Sequence, residues 1–357
     1  MFTKLNNVTL KSCFASPLKQ RSAVDIESYP KEISFIGGIY NDLNQPYTEA
    51  LLSREGTLIQ AHDKTHIIDR DNAKEIENKA IYGGMLFDHY GHFLLESLAR
   101  VWYIYNSTED VYFYYPHKNN FIYNELATWQ KTILRGLFSN TERIKIINEP
   151  LVFKELIIPD AGFVIKQFFA KTQAETLLLL GQNIKASNSS CAVVPDKIWL
   201  SRSLLNKGLI AGERKFELAL SAEGFAIVHP ETLSIEEQIE LFEKASIIAG
   251  FTGSAFHTIV FAKNNHAKLL HFSRFKSPSE NYPLCTKATG FNADFYNCFI
   301  RFGEIKGSWR ANVLQNLNGI WEILYMQGLV QTKEYYDFAL EEDLKELDAK
   351  VKLFLHI

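Results

Sequence analysis

The chain has 357 residues, which is long for a single domain and sufficient for two. Hydrophobic residues make up 46% and charged residues 22% of the chain, as in an ordinary globular protein. A net charge of -3 argues against a nucleic-acid partner, because no basic field would attract a polyphosphate backbone.

Targeting signals and cysteine spacing indicate the compartment. The N-terminal segment has no apolar run, so we expect neither a secretory signal nor a membrane anchor, and no segment approaches the roughly 20 apolar residues that span a bilayer. Cys13, Cys191, Cys285 and Cys298 are scattered without CxxC pairs. This pattern favours the reducing cytoplasm over a disulfide scaffold or a zinc ribbon.

The first half of the chain mixes short apolar runs with helical patterns. The predicted strands are 32–40, 65–70, 110–115, 143–150 and 155–160. The predicted helices are 88–102, 124–138 and 168–184. A small, polar stretch with one proline follows at 185–197 and is the best candidate for an interdomain linker.

The second half alternates strictly between strands and helices. The predicted strands are 197–202, 225–230, 246–251 and 267–272. The predicted helices are 212–224, closed by Gly224, 233–245, opened by a Ser234–Glu237 capping box, and 253–262. This alternation predicts a parallel sheet with helices on its faces, and such sheets bind ligands at the carboxyl ends of their strands. A charged amphipathic helix at 341–357 ends the chain.

The helix predicted from DHYGHFLLESLARVW carries a row of ionisable groups among apolar residues. His89, His92, Glu96 and Arg100 follow one another at spacings of three, four and four, so we expect them on one helical face.

Three interpretations of this row remain open. One is a core histidine bonded to Glu96, with Arg100 neutralising the carboxylate. Another is a metal half-site, although HExxH zinc helices have glutamate where this chain has Tyr90. The third is a cleft wall in which His92 or Asp88 removes a proton from an acceptor hydroxyl.

The turn AGFTGSAF, residues 249–256, joins a buried strand to a helix. Gly250 and Gly253 allow a close approach of the backbone, and Ser254 lies near a helix N-terminus, which suits a phosphate but also fits plain turn chemistry. Neither a GK[ST] Walker motif nor GxGxxG is present here, so a nicotinamide or flavin enzyme is disfavoured.

Charged residues follow two successive predicted strands of the second half, at the carboxyl edge of the predicted sheet. Arg202 and Lys207 would neutralise a diphosphate without a metal, or they are solvated surface cations. Glu231 falls on this edge as well, where it would accept from ribose hydroxyls or cap a turn.

Two blocks together resemble glycosyltransferase family 61. The stretch 88–102 is similar to the family signature H-x-x-H-[FW]-L-x-E-x-L-x-R. The run 199–262, from WLSR to TIVFA, is similar to the second block, which ends in P-E-x-L-[ST]-x-x-E-Q-x-x-L-F-x-x-A…G-x-H-G-[SA].

The resemblance implies an inverting, metal-independent enzyme with an α/β, GT-B-like fold, in which two Rossmann-like domains face a central cleft. We expect an acceptor-binding domain at 1–187, a nucleotide-sugar-binding domain at 195–315, and C-terminal helices at 316–357 that pack back across the domains.

Site residues follow from the same resemblance. The donor residues that it implies, together with the candidates from the sheet edge, are Arg202, Lys207, Arg214, Glu231, Gln238, Gly250, Thr252, Gly253, Ser254 and His257. The residues of the acceptor wall are Asp88, His89, His92 and Glu96 as catalytic candidates and Arg100 as a wall residue. Among the catalytic candidates we favour His92 as the base, held by Glu96.

The chain departs from the family pattern at two places. Lys215 and Phe216 stand where the family usually has Asn-Glu, and Thr252 replaces the histidine of G-x-H-G. His257, one turn further on, is a candidate substitute for that histidine.

The expected function is transfer of a hexosyl, pentosyl or N-acetylhexosaminyl group from a UDP- or CMP-linked donor to a glycan or lipid-linked glycan. We expect no cofactor and no metal, a cytoplasmic location in bacterial capsule or lipopolysaccharide synthesis, and peripheral contact with the inner membrane or an assembly complex. The alternatives are a sugar-phosphate transferase of capsule assembly, a non-catalytic glycan-binding protein and, last, a metal hydrolase built on His89, His92 and Glu96.

Overall fold

The computed structural model describes most of the chain. The described residues are 4–22, 25, 28–64, 68–116, 121–186, 194–205, 209–210, 212–263, 266–275, 278–300 and 312–333. Two compact units are present: the first comprises Met1–Ser189, His257–Ala262 and Glu280–Thr289, and the second comprises the rest. Lys207 and the helix predicted at 341–357 lie outside the described residues, as does most of the predicted linker.

A mixed seven-stranded sheet organises the first unit. In spatial order its strands are Ile144–Ile146, Asp110–Tyr114, Ala80–Met85, Leu151–Pro159, Asn7–Ala15 and Ile39–Tyr40, and Lys74–Ile76 also pairs with Leu151–Pro159. Asn7–Ala15 and Ile39–Tyr40 contribute antiparallel pairs, and the other pairs are parallel. Every residue of Ala80–Met85 is buried, as expected of a central strand that is covered on both faces.

Most of the predicted elements of the first unit are confirmed. The helices Thr128–Leu137 and Lys171–Ala186 form, as do strands within 110–115, 143–150 and 155–160. The prediction of a strand at 65–70 is wrong for its described residues 68–70. Asn7–Ala15 was not predicted, because its first half is largely exposed and polar and only its last three residues are buried.

The continuous helix predicted at 88–102 is wrong. The chain forms a short α-helix, Tyr90–His92, a π-helical turn, Phe93–Ser97, and a second α-helix, Val101–Ile104. The break has a clear cause, because the Leu98 carbonyl accepts from Gln173 Nε2 at 2.6 Å and the Ala99 carbonyl accepts from Gly162 N at 2.6 Å. Val101 N also donates to the Leu98 carbonyl at 3.0 Å, but Trp102 N, which would continue an α-helix, donates to Gln173 Oε1 instead.

A five-stranded parallel sheet organises the second unit and confirms the α/β prediction for this half. In spatial order its strands are Ala226–Val228, Lys197–Leu200, Ile247–Phe251, Lys268–Phe272 and Asn292–Tyr296. Numbered along the chain, this order is 2-1-3-4-5, so the first and third strands are neighbours and the connections leave them in opposite directions. Such a topological switch point is the usual ligand site of an open α/β sheet.

The helices of this region begin and end close to their predicted limits. Glu213–Ala222 is followed by Gly224 with φ +84°, the left-handed conformation that glycine adopts most easily. Ile235–Lys244 has the predicted capping box, in which Ser234 and Glu237 bond to each other's backbone. Ser254–Phe261 is a 3₁₀-helix instead of an α-helix.

The remaining elements are short or lie late in the chain. The helices are Asn281–Thr289 and Leu317–Met326, and the 3₁₀-turns are Thr48–Ala50, Tyr123–Glu125, Thr141–Arg143 and Pro230–Thr232. The strands are Lys19–Gln20, Phe35–Ile36, Ser53–Arg54, Thr57–Leu58, Gln60–Ala61, Phe163–Val164, Phe168–Phe169, Leu209–Ile210, Phe299–Ile300 and Asn312–Gln315. In the described part of the chain, no helix combines the length and the apolar character needed to cross a membrane.

Two helical glycines provide a matched test of packing in the first unit. A Cβ at Gly181 would overlap the backbone carbonyl oxygen of Phe261, whereas a Cβ at Gly136 would meet the side chain of Ile184. We expect Gly181→Ala to lower the free energy of unfolding by about 1–3 kcal/mol, because backbone cannot move aside as a side chain can.

Gly136→Ala is the control: alanine favours the helix by roughly 1 kcal/mol at both positions, but the loss should be smaller at Gly136 because the Ile184 side chain can move aside. Urea denaturation measures both variants. Equal losses in the two would contradict the tight contact at Gly181.

Candidate functional site

One candidate site, which lies in the first unit, is a cluster of three side chains, Arg54, Glu96 and His92. Arg54 binds the Glu96 carboxylate through two parallel hydrogen bonds, Nε to Oε1 and Nη2 to Oε2, each 2.8 Å long. His92 Nδ1 contacts Glu96 Oε2 at 2.5 Å. The side chains of Glu96, Arg54 and His92 are 4%, 26% and 38% exposed, so the imidazole is the most accessible member of the cluster.

This arrangement fixes the tautomer of His92. An ionised carboxylate only accepts hydrogen bonds, so in the neutral ring Nδ1 carries the proton and Nε2 has the free lone pair. Burial on its own would raise the pKa of Glu96, but hydrogen bonds from His92 and Arg54, together with their charges, hold that pKa below its ordinary value. Glu96 therefore stays ionised and keeps His92 oriented.

Asp88 and His89 lie beside this cluster in different settings. Asp88 Oδ1 accepts a 2.7 Å hydrogen bond from the Tyr115 hydroxyl. The exposed His89 precedes the helix in an extended conformation, and its ring centroid is 5.2 Å from that of His92. The predicted single face of four ionisable residues is therefore wrong, although the His92–Glu96 pair within it is confirmed.

His257 was predicted as a donor residue, and in the structure it packs within the first unit. Its ring stacks on Tyr282 with centroids 4.9 Å apart, and its Nδ1 lies 3.9 Å from Cys285 Sγ. Burial, together with the positive charges of His92 and His89, lowers the pKa of His257 to about 3. His257 is therefore a neutral imidazole near the cluster.

Arg100 lies apart from the carboxylate that it was predicted to neutralise. Its side chain turns to the Pro159 carbonyl, which accepts from Nε at 2.9 Å, and its guanidinium carbon is 5.0 Å from the centroid of the Tyr82 ring. The partner of Glu96 is instead Arg54, which sequence reasoning missed. Arg54 is 42 residues away in a short hairpin, and no local pattern connects the two.

A second, separate candidate site is the switch point of the parallel sheet in the second unit. Arg202 follows the first strand, and Thr252 and Gly253 follow the third. A Cβ at Gly253 would come within 2.5 Å of Arg202 Nη1, so the guanidinium lies directly against this turn. Gly250 packs as closely, because a Cβ there would be 2.9 Å from the Leu200 carbonyl oxygen.

Arg274 is a second arginine at this turn, and the sequence analysis missed it. Its Nε donates to the Thr252 carbonyl at 2.5 Å, and its backbone N donates to Thr252 Oγ1 at 3.3 Å. Thr252 is buried and accepts both of these hydrogen bonds, so it has a structural role at this turn. Two guanidinium groups and the start of the helix Ser254–Phe261 give the edge a positive character suited to a phosphate.

Two buried carboxyls support the Arg202 loop from below. Glu213 Oε1 accepts a 2.9 Å hydrogen bond from Arg202 N, and Glu217 Oε2 accepts one from Ser203 Oγ at 2.9 Å. Glu213 Oε2 is buried and makes no hydrogen bond within the described ranges. Burial, and then the charge of Glu217, raise the pKa of Glu213 to about 8, whereas the Arg202 N–H and the Arg202 and Arg274 charges act in the opposite direction.

The other predicted donor residues make no contact described above with the Arg202 and Gly253 turn. Arg214 and Glu231 are exposed, and Ser254 is half-buried at the start of its helix. Gln238 donates to the carbonyls of Pro230 and Leu233, at 2.9 and 3.3 Å, and so braces the turn that carries Glu231. Among the described side chains, no group of three or more His, Cys, Asp or Glu residues is arranged to hold a metal ion.

Comparison with known protein families assigns the chain to the glycosyltransferases. The model of the family described as Glycosyltransferase 61 matches residues 90–269, which is half of the chain. The protein therefore belongs to glycosyltransferase family 61. No curated protein matches the chain.

The raised pKa of Glu213 predicts a pH dependence of stability. Below pH 4.5 the folded and unfolded states both hold this proton, and its stabilising effect is lost as the pH rises to about 8, because only the folded state retains the proton over that interval. Within it, the free energy of unfolding should fall by up to about 1.4 kcal/mol per pH unit. Glu213→Gln keeps an acceptor for Arg202 N and should flatten this slope.

Urea unfolding of both proteins across this interval measures the difference. Glu322→Gln, on the helix Leu317–Met326 of the same unit, is the control and should retain the wild-type slope. An unchanged slope in Glu213→Gln would show that Glu213 is already ionised in the folded protein.

Proposed function

We propose that the protein is an inverting, metal-independent glycosyltransferase that moves a sugar from a nucleotide-sugar donor to a hydroxyl of a glycan acceptor. The observation that carries this proposal is the Arg54–Glu96–His92 cluster. It offers an accessible imidazole whose second nitrogen is fixed by a buried, ionised carboxylate. The same carboxylate–imidazole pairing prepares a general base in enzymes that deprotonate a hydroxyl.

In the proposed reaction, the acceptor oxygen attacks the anomeric carbon of the donor sugar. The oxygen–carbon bond forms as the bond from the anomeric carbon to the phosphate oxygen breaks, and the electron pair leaves with the nucleotide. Nε2 of His92 receives the acceptor proton, and Glu96 stabilises the imidazolium that results. One displacement inverts the configuration at the anomeric carbon.

The switch point of the second unit is the proposed donor site. Arg202, Arg274 and the start of the helix Ser254–Phe261 would stabilise the charge of the departing nucleotide, which is the role of a divalent cation in metal-dependent transferases. Glu213 would act as a positioning residue, because it binds the backbone N–H of Arg202, whose guanidinium lies against the Gly253 turn.

The finer assignments rest on the resemblance in the sequence. They are a UDP- or CMP-linked donor, a GT-B arrangement, a glycan or lipid-linked glycan acceptor, and a role in bacterial capsule or lipopolysaccharide synthesis. A cytoplasmic location, with peripheral contact with the inner membrane, belongs to the same proposal. Cys13, Cys285 and Cys298 are free thiols, which is compatible with a reducing compartment.

Nucleotide binding tests the donor site directly. We expect UDP or CMP to bind the wild-type protein in isothermal titration, and Arg202→Gln to weaken binding by about 10–100-fold through loss of charge-assisted hydrogen bonds. Lys244→Gln removes an exposed cation of the same unit and should leave the affinity unchanged. If none of the common nucleotides binds, the proposed function is wrong.

Turnover tests the base. His92→Asn should lower kcat for transfer or for donor hydrolysis by about 100–10,000-fold with little change in nucleotide affinity, because general-base catalysis contributes in this range. Glu96→Gln should lower kcat as well, since the neutral amide no longer stabilises the imidazolium. Mass spectrometry of products from a panel of sugar nucleotides measures both variants.

His266→Asn changes an exposed histidine of the second unit and serves as the control. Full activity in His92→Asn would exclude His92 as the base. A sugar 1-phosphate product that disappears with EDTA would instead identify a sugar-phosphate transferase.

A further inference from the structure

A cavity of about 220 Å³ in the first unit has no role in the mechanism above. The residues that line it include Arg100, Tyr82, Gly84 and Glu96. Glu96 therefore lines this cavity and at the same time bonds to His92, so the cavity and the proposed base share one carboxylate.

One residue that lines the cavity, Arg100, carries a buried positive charge that forms no ion pair with the described residues. Arg100 is 8% exposed, and its one hydrogen bond in the described part of the chain runs from Nε to the Pro159 carbonyl. No carboxylate oxygen of the described residues lies within 4.0 Å of this guanidinium. A buried cation without a direct ion pair is costly, and an anionic ligand would supply the missing partner.

The acidic residues around the cavity form no direct ion pair with Arg100, and the attraction of the Asp160 charge at longer range is smaller than the effect of burial. Glu96 already accepts hydrogen bonds from Nε and Nη2 of Arg54. Glu49 and Asp160 are exposed at the cavity, and Asp160 Oδ2 accepts from the backbone N of Asn6. The Nη groups of Arg100 thus remain available to an anion that enters the cavity.

Gly84 keeps this guanidinium in place. A Cβ at Gly84 would lie 2.6 Å from Arg100 Nη1, and its φ of +92° is one that other residues rarely adopt. Glycine therefore lets the charged group lie against the end of the central strand.

The size and lining of the cavity limit the ligand. Its volume is below the roughly 300–1,000 Å³ of pockets that hold drug-sized molecules, so it suits a single sugar ring. Tyr82, Phe163 and Phe168 provide aromatic surface, while Glu49 and Asp160 can accept hydrogen bonds from hydroxyl groups.

We propose that this cavity binds one anionic sugar residue, with a carboxylate or phosphate group on the Nη atoms of Arg100 and the sugar ring between the aromatic side chains and the exposed carboxylates. The proposal rests on the proposed function, since it makes this residue part of the acceptor. Arg100 would then select for charged acceptors, and the ligand would lie beside the carboxylate that orients His92.

Binding of simple sugars to the full-length protein tests this subsite. The probes are glucose, glucuronate and glucose 6-phosphate, titrated at millimolar concentrations and followed by calorimetry and thermal shift. We expect one or both anionic sugars to bind, glucose to bind at least about 10-fold more weakly, and Arg100→Met to abolish the difference. Stronger binding of glucuronate would assign a carboxylate, and stronger binding of glucose 6-phosphate would assign a phosphate.

Stability separates a ligand role from a structural role of Arg100. Arg100→Met should unfold at the same temperature as the wild type or higher, because it removes an uncompensated buried charge. The control Arg135→Met replaces an exposed arginine on the helix Thr128–Leu137 and should bind the probes like the wild type. Arg100→Lys, which keeps the charge but loses the planar fork, should bind with intermediate affinity.

The proposal is overturned if glucose binds as well as the anionic sugars, if none of the probes binds, or if Arg100→Met retains the preference for anionic sugars.

Failure of this subsite and failure of the proposed function give different results. UDP or CMP binding without sugar-acid binding rejects only the subsite, whereas sugar-acid binding without binding of any nucleotide rejects the donor site and leaves the subsite standing.

Discussion

The first unit depends on a break in its helix at Leu98 and Ala99. The carbonyls of these two residues accept hydrogen bonds from Gln173 and Gly162, and Trp102 N donates to Gln173, so the regular α-helical hydrogen bonds are interrupted here. Residues before the break are wound as a π-turn that carries Glu96, and Arg100 follows it in a non-helical conformation. Because of this break, Glu96 and Arg100 bond to different partners, Arg54 and the Pro159 carbonyl, although they are four residues apart. π-Turns of this kind are frequent at functional sites.

In the second unit, a glycine and a buried glutamate position the arginine at the switch point. Its switch point must hold cations against a turn without obstructing a ligand, and Gly253 provides the space that the Arg202 guanidinium occupies. Glu213 holds the backbone of the same residue from the opposite side. Since burial and Glu217 favour the protonated form of Glu213, this support does not cancel the positive charge of the edge.

Sequence patterns predicted what depends on local periodicity, and they missed what depends on distant partners. The parallel sheet of the second unit follows from strict alternation of apolar strands and helices, and the Ser234–Glu237 box was readable directly. The fifth strand, Asn292–Tyr296, escaped prediction because it is a partly exposed edge strand with polar residues. The pairing of Arg54 with Glu96 and the helix break require contacts across 42 or more residues, which no local spacing reveals.

One feature of the chain path determines how the protein can be divided. His257–Ala262 and Glu280–Thr289 belong to the first unit, although they follow residues of the second along the chain. Phe261 packs against Gly181, and Cys285 is fully buried within that unit. A cut in the predicted linker would therefore yield an N-terminal fragment that lacks part of its own interior and exposes the surface these segments cover. The first unit therefore needs residues from both sides of the linker in order to fold. Joining sequences of two proteins at the linker would not transfer a complete unit.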